Sequence, residues 1–443
     1  MLKASTKTVI KDFIAQGKCI MKLKALTTAM ILATVPMTGA FAAALDRSGQ
    51  SMAAFLQPGN YFEAGISVLD PSVSGKVRNG YSPSAAPPSV IGLQNTNLSD
   101  MGDDYYFPSA ALKLQVTDHF SFGLLYDQPF GADATYSLSD TVSVTAGGVG
   151  LFHNGTESTE VEVKTQSISM IFGYQPTENF NFYAGPVYQT IEGDVQLRGL
   201  AYGGSTAFGG YNASIKETGD IGWLAGAAFQ IPDIALKASV TYRSEIEHSV
   251  NVKESFNSAG LFAALNAAPS LDTDITTPQS VNLDFQTGIM ANTVAFANVR
   301  WVDWSNFSIQ PYKFGIASKN AIVQGQTGKP EFDLVAYTDD QISATVGVGR
   351  KLNDKWAGNV SVGWDSGAGN PITTLGPTEG YWNLGLGAQF SPTPQTFIAG
   401  GVKYFWLGDA DAQSGAQFNT PNSVAKFEDN HAIAYGLKMG YKF

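Results

Sequence analysis

The last thirteen residues constrain the fold most. From His431 to Phe443 the chain alternates strictly: Ile433, Tyr435, Leu437, Met439, Tyr441 and Phe443 share one parity, and Ala432, Ala434, Gly436, Lys438, Gly440 and Lys442 the other. Successive side chains of a β-strand point to opposite faces, so this segment reads as a strand with one apolar, aromatic-rich face. Its other face is small or cationic. A sheet with hydrocarbon on one side and a lumen on the other requires that pattern, with aromatic residues at the membrane interfaces.

The opposite end of the chain agrees. Met21-Lys22-Leu23-Lys24 is a short basic region, and residues 25–39 are mostly apolar. That stretch is shorter than the ~20 residues a spanning helix needs. Ala40-Phe41-Ala42 then reads as a cleavage site. Residues 1–42 are therefore expected to be an upstream extension plus a cleaved signal peptide, with the true start at Met21. The whole chain has 27 basic and 38 acidic residues; residues 1–42 hold six Lys and one Asp, so 21 basic and 37 acidic remain, net −16. The only cysteine, Cys19, is expected to leave with the leader. No disulfide framework or thiol chemistry is then available. The acidic balance argues against a nucleic-acid partner. No cofactor and no metal centre are expected. After residue 42 no apolar run reaches transmembrane-helix length, so a membrane-bound form enters as a closed sheet.

Fourteen candidate strands follow: 60–69, 104–117, 119–136, 160–175, 179–198, 213–230, 233–252, 276–290, 292–306, 338–351, 355–365, 380–391, 395–409 and 431–443. Tight connections such as Thr117-Asp118, Ile231-Pro232 and Leu352-Asn353-Asp354 carry turn residues. They alternate with long ones at 70–103, 137–159, 199–212, 253–275, 307–337, 366–379 and 410–430. Short periplasmic turns alternating with long extracellular loops predict an all-β, antiparallel, up-and-down transmembrane barrel over 60–443. The predicted lipid-facing sets include Phe120, Phe122, Leu124 and Tyr126; Ile168, Met170, Phe172 and Tyr174; Ile342, Val346 and Val348; and Trp382, Leu384 and Leu386. None is charged. Lys113, Lys237, Arg243, Glu245, Asp365, Lys403 and Lys438 fall on the other parity, and a charge at mid-bilayer on the lipid face costs ~2–4 kcal/mol.

Several stretches, in order and spacing, resemble the FadL/TodX-type transporters of long-chain fatty acids and aromatic hydrocarbons. They are Phe62-Glu63-Ala64-Gly65 through Gly75, Thr241-Tyr242-Arg243-Ser244-Glu245, Trp301 to Phe307, Trp356 to Ser366, and Tyr381 to Gly387. The resemblance covers essentially the whole chain after residue 42. It implies passive transport, a surface site that collects the hydrophobe, an N-terminal hatch in the lumen and a kinked third strand through which cargo leaves sideways. It also implies a monomer in the outer membrane of a Gram-negative bacterium, in contact with lipid and lipopolysaccharide. The terminal Phe443 resembles the signal read by the outer-membrane assembly machinery.

Individual residues carry these expectations. Asp127-Gln128-Pro129-Phe130-Gly131 in the third strand combines a residue without a ladder donor and a glycine, which belong at a bulge or interrupted edge. It is read as the lateral gate, against an early strand end. The hatch departs from the family: only 43–59 precede the first strand, and the family's Asn-Pro-Ala motif is missing. Met52, Phe55 and Leu56 are candidates to meet a hydrophobic small molecule in the lumen, with a periplasmic tail as the alternative. Leu125 stands on the lumen parity. The 70–103 loop, with Pro83, Pro87, Pro88 and Ile91, is a second segment able to fold inward. Phe256, Leu261 and Phe262 at helical spacing read either as an exposed collector or as packing between loops. Arg243 and Glu245 read as a carboxylate site or as a mutual pair. Asp100, Asp103 and Asp104 read as a cation site bridging lipopolysaccharide or as a solvated loop.

Two other functions compete. A lipid hydrolase needs a nucleophile with a base in reach, and no short motif joins His119, His153, His248 or His431 to a serine and an acid. No enzyme is expected. A general diffusion porin shares the polar lumen and acidic loops. Apolar residues on the lumen parity, among them Ile171, Leu224, Phe397 and Phe405, speak against it, whereas the short hatch speaks for it.

Overall fold

The computed structural model describes residues 44–79, 81, 95–140 and 148–443. Seventeen ladder segments form one closed sheet. Three strands consist of two segments each, so the wall has fourteen antiparallel strands. In chain order these are Tyr61–Ser72, Tyr105–Gln115, Phe120–Asp127 with Gly131–Thr135, Glu160–Thr177, Phe180–Arg198, Gly210–Ile231 and Leu236–Arg243 with Ile246–Ser255. Then come Asp272–Thr277 with Ser280–Met290, Thr293–Val302, Gln341–Lys351, Trp356–Asp365, Tyr381–Phe390, Thr396–Leu407 and His431–Lys442. Closure runs through the first strand, where Phe62 lies opposite Leu112 on one side and Tyr441 on the other.

The outer surface follows the alternation in the sequence. Phe120, Ile168, Phe172, Val346, Trp382, Leu386, Leu437 and Phe443 are exposed, whereas Ala432, Ala434 and Lys438 are buried on the inner face. The alternation slips where a strand breaks. Inward residues are Ser239, Thr241 and Arg243 before the break at Ser244-Glu245, but Ile246, His248 and Val250 after it. The eighth strand changes parity in the same way across Pro278-Gln279, and the third across residues 128–130. Reading the seventh and eighth strands as continuous is thus corrected. Glu245 lands in the break and is exposed, so it is not a lumen charge and does not pair with Arg243.

At the long-loop end, a small five-stranded sheet joins Gly75–Val77, Asn97–Leu98, Ile372–Thr373, Ala410–Gln413 and Ala425–Phe427. Two short helices, Tyr312–Ser318 and Ala321–Thr327, occupy the 307–337 connection; Asn320 caps the second at its start and Gly328, in the left-handed region, ends it. The Glu254 carboxylate ties the loops together. It accepts from the backbone N–H groups of Lys313 and Phe314 at 2.7 and 2.8 Å and from the Tyr211 hydroxyl at 2.8 Å.

A second carboxylate, Glu379, sits in the 366–380 loop. Gly367 adopts φ +86°, and a Cβ there would stand 2.1 Å from Glu379 Oε1, so only glycine fits. Burial pushes the Glu379 carboxyl up to about 7; Asp365 and Asp339 act in the same direction, and the Gly369 N–H opposes them. Between the ordinary glutamate value and about 7, the folded loop holds a proton that the unfolded chain has lost, so the loop loses stability as pH rises through that window. Hydrogen exchange in residues 366–380, corrected for intrinsic rates, should accelerate between about pH 5 and about pH 8. Glu379→Gln should remove the dependence.

Candidate functional site

The lumen is filled from the N-terminal side. Asp46 and Arg300 form a buried ion pair, 2.8 Å from Oδ2 to Nε, with Arg300 on the inner face of the ninth strand. The guanidinium also donates to Asn282 Oδ1 and Gln50 Oε1 at 2.8 and 3.0 Å. Asn282 Nδ2 returns a bond to the Gly49 carbonyl at 2.7 Å. Arg243 reaches Ser169 Oγ at 3.2 Å, the Gln50 carbonyl at 3.4 Å and Met52 Sδ at 3.5 Å. Two lysines hold the far end of the segment: Lys237 Nζ donates to the Leu56 carbonyl at 2.7 Å, and Lys113 Nζ to that of Gln57 at 3.0 Å. Four wall strands, the second, seventh, eighth and ninth, thus hold residues 46–57 through these polar contacts.

Apolar contacts complete the seat. Met52, Phe55 and Leu56 are buried together with Leu125, Ile171, Tyr183 and Leu224. The Phe55 ring meets the Tyr183 ring edge-on at 5.5 Å. It also lies on bare backbone: a Cβ on Gly123 would stand 2.4 Å from Phe55 Cδ2, and one on Gly173 2.9 Å from Phe55 Cζ. These two glycines form a socket the width of a ring.

The same segment closes a defect in the wall. The third strand stops at Asp127 and resumes at Gly131. Beyond the break, Gly131–Thr135 pairs only with the fourth strand, while Tyr105–Ser109 of the second strand pairs only with the first. A window is left between them, bounded on the long-loop side by the bridge from Gly102 to Ala134. From inside, the N-terminal segment supplies the missing partners. Arg47 N–H donates to the Pro129 carbonyl at 2.7 Å, Gly131 N–H to the Leu45 carbonyl at 2.9 Å, and Ser48 Oγ to Asp127 Oδ2 at 2.7 Å. The Arg47 guanidinium lies 5.0 Å from the Tyr105 ring centroid at the window's edge. Phe130 turns inward onto Trp304, 5.5 Å between ring centroids. One cavity of about 680 Å³ is lined by Ser48, Leu125, Lys237 and Lys403 in the lumen and by Pro108 and Gln128 at the window.

The family model described as outer membrane protein transport protein (OMPP1/FadL/TodX) matches residues 39–443. The chain belongs to this family. The solved structure of a Pseudomonas aeruginosa FadL homologue aligns with a TM-score of 0.63 at 14% identity, covering 94% of this chain and 98% of that one. The Pseudomonas putida toluene transporter TodX aligns at 0.54 and 13% identity over 93% of each chain. The Ralstonia pickettii toluene transporter TbuX aligns at 0.54 and 12%, covering 92% of this chain and 98% of that one. No curated protein sequence matches the chain. At these identities the structures establish the shared barrel; the family model establishes membership and an outer-membrane setting.

Not every candidate residue falls where the sequence put it. Phe256 and Phe262 are buried against Phe208 and one another, at 6.3, 4.9 and 5.2 Å between ring centroids, so they are no exposed collector. Only Leu261, 43% exposed, faces outward, because helical spacing of apolar residues looks the same whether a loop packs down or stands free. Asp100 Oδ1 accepts from the Val73 and Gly102 N–H groups and shapes a turn; no acidic group able to hold a metal occurs among the described residues. His248 is buried on the inner face of the seventh strand. Pro83, Pro87, Pro88 and Ile91 lie outside the described residues. Arg300 escaped the sequence reading, and Trp304 entered it only within the Trp301–Phe307 stretch. The available signal was a lone arginine on the inner parity of an apolar strand, which a buried setting obliges to find a carboxylate.

Replacing Arg300 with Met should strand the Asp46 carboxylate in the lumen. The cost should be ~3–5 kcal/mol, the usual price of a buried charge without its partner. Limited proteolysis and hydrogen exchange should then show loss of protection at residues 45–57, with the fourteen-strand wall still folded.

Proposed function

We propose that the chain carries hydrophobic small molecules passively across the outer membrane, and that they leave sideways through the break at Asp127–Gly131. The observation that supports this reading most is the double role of residues 45–48, which both belong to the plug and complete the hydrogen bonding of the broken third strand. Displacing the plug therefore removes the window's inner partners in the same movement. A hydrophobe gains nothing from a water-filled pore. Lateral release lets it enter hydrocarbon directly, worth ~25 cal/mol per Å² of apolar surface removed from water.

In this reading Met52, Phe55 and Leu56 are the contacts that cargo displaces, and Leu125 borders its path to the window. Arg243 positions the plug through Gln50 and Met52. The toluene transporters named above share this barrel architecture, and an aromatic hydrocarbon or a fatty acid is the cargo class tested first. Residues 46–57 narrow the lumen that a general diffusion pore would leave open.

Replacing Pro129 and Gly131 together with Val should let the third strand zip to its neighbours. Uptake of labelled toluene and oleate should fall at least about tenfold, while the heat-modifiable mobility of the folded barrel is kept; a factor of ten corresponds to ~1.4 kcal/mol. Unchanged uptake by the folded variant would sink lateral exit. In planar bilayers the unmodified barrel should be nearly silent. A large, steady ionic conductance would instead establish an open pore.

A further inference from the structure

A second seam crosses the wall, between the sixth and seventh strands. Their ladder runs from Leu236–Ile231 to Arg243–Leu224, stops, and resumes from Val252–Ile215 to Ser255–Asn212. Both ladders keep one register, since nine steps on one strand oppose nine on the other. Yet residues 245–251 and 216–222 share no ladder pair. Each side is paired on its other edge: Ile246 to Asn251 with the eighth strand, and Thr218 to Ile221 with the fifth. The last contacts before the gap are Ser244 N–H to the Trp223 carbonyl at 2.9 Å and Trp223 N–H to Ser244 Oγ at 3.0 Å.

Side chains hold the gap shut. Ile246 packs against the bare backbone of Gly222, where a Cβ would meet Ile246 Cγ1 at 2.6 Å and Ser244 Oγ at 2.8 Å. Behind it lies a void of about 10 Å³, the room of one water, lined by Trp223 and Ile246 at the wall and by Gln50, Phe130 and Arg243 inside. The seam thus leads from the outer surface to the plug and to the aromatic residue of the third-strand break. Outside, Ile221 is 72% and Trp223 51% exposed, and Trp223 packs on Tyr242 at 5.1 Å in the manner of an interfacial aromatic pair. The long-loop end of the barrel, by contrast, is filled by packed rings such as Phe208, Tyr211, Phe262 and Phe314.

We infer that this seam is a second lateral portal, through which a hydrophobic molecule dissolved in the outer leaflet enters the lumen, with Ile246 as its bolt. The inference rests on the transport reading above. Opening it breaks no ladder hydrogen bond and needs only the displacement of side chains. Cargo passing Trp223 and Ile246 arrives at Gln50 and Phe130, where the plug and the window meet.

The test uses the full chain in a Cys19→Ser background. Asp220 and His248 face each other across the seam, 3.9 Å from Oδ2 to Nδ1, so Asp220→Cys with His248→Cys permits a reversible cross-link. A control cross-link joins Val346→Cys and Val362→Cys, a fully zipped pair of the tenth and eleventh strands. Oxidation of the seam pair should slow uptake of labelled toluene and oleate at least about fivefold, with recovery on reduction, whereas the control pair changes nothing. Ile246→Ala should speed uptake. Wild-type rates in the oxidised seam variant would overturn the portal and leave transport standing. Absence of uptake by the unmodified protein would overturn both.

Discussion

Every backbone N–H and C=O in hydrocarbon must find a partner within the protein, and the architecture of this chain follows from that requirement. Strands satisfy it by pairing on both edges, so the sheet has to close, and the first strand closes it by pairing with the second and the fourteenth. Where closure is complete, the wall is an inert apolar surface. Where it lapses, other groups must take over: Leu45 and Arg47 do so at the third-strand break, and Ser244 does so beside the gap between the sixth and seventh strands, where Ile246 fills the space against Gly222. These lapses are the places where lumen and membrane approach each other.

The plug depends on polar anchors more than on its length. A segment of a dozen residues has little surface to bury, and it spends much of it on Met52 and Phe55. The Asp46–Arg300 pair fixes where the segment sits, whereas its net contribution to stability is small once desolvation is counted. Placement matters here because a shift of one residue would withdraw both Phe55 from its glycine socket and Leu45 from Gly131. Side chains of the wall thus reach in to hold this short segment in place.

Much of the barrel was legible in the sequence. Alternation placed Ile168, Val346, Trp382 and Leu437 on the lipid face because a single charge there is costly enough to exclude it. Turn residues and the alternation of short with long connections located the fourteen strands. The break at Pro129 was visible because proline cannot donate to a ladder. The gaps at Ser244-Glu245 and between 216 and 222 were not. Residues 216–222, Lys-Glu-Thr-Gly-Asp-Ile-Gly, are poor strand formers that weaken the alternation, but nothing local records that a neighbouring edge is absent. The burial of Phe256 and Phe262 was equally hidden, since it depends on Phe208, Tyr211 and Phe314 arriving from other loops.

By itself, then, the sequence determined a closed membrane barrel, its inner and outer faces, and one weak point in its wall. Those properties arise from periodicity and from the chemistry of single residues, which a linear pattern carries in full. Only the tertiary structure decided that residues 46–57 fill the lumen, that Arg300 meets Asp46 across a separation of 254 residues, and that two seams converge on Gln50 and Phe130. Such contacts depend on which strands closure brings face to face across the lumen, and distance along the chain holds no record of distance across a barrel.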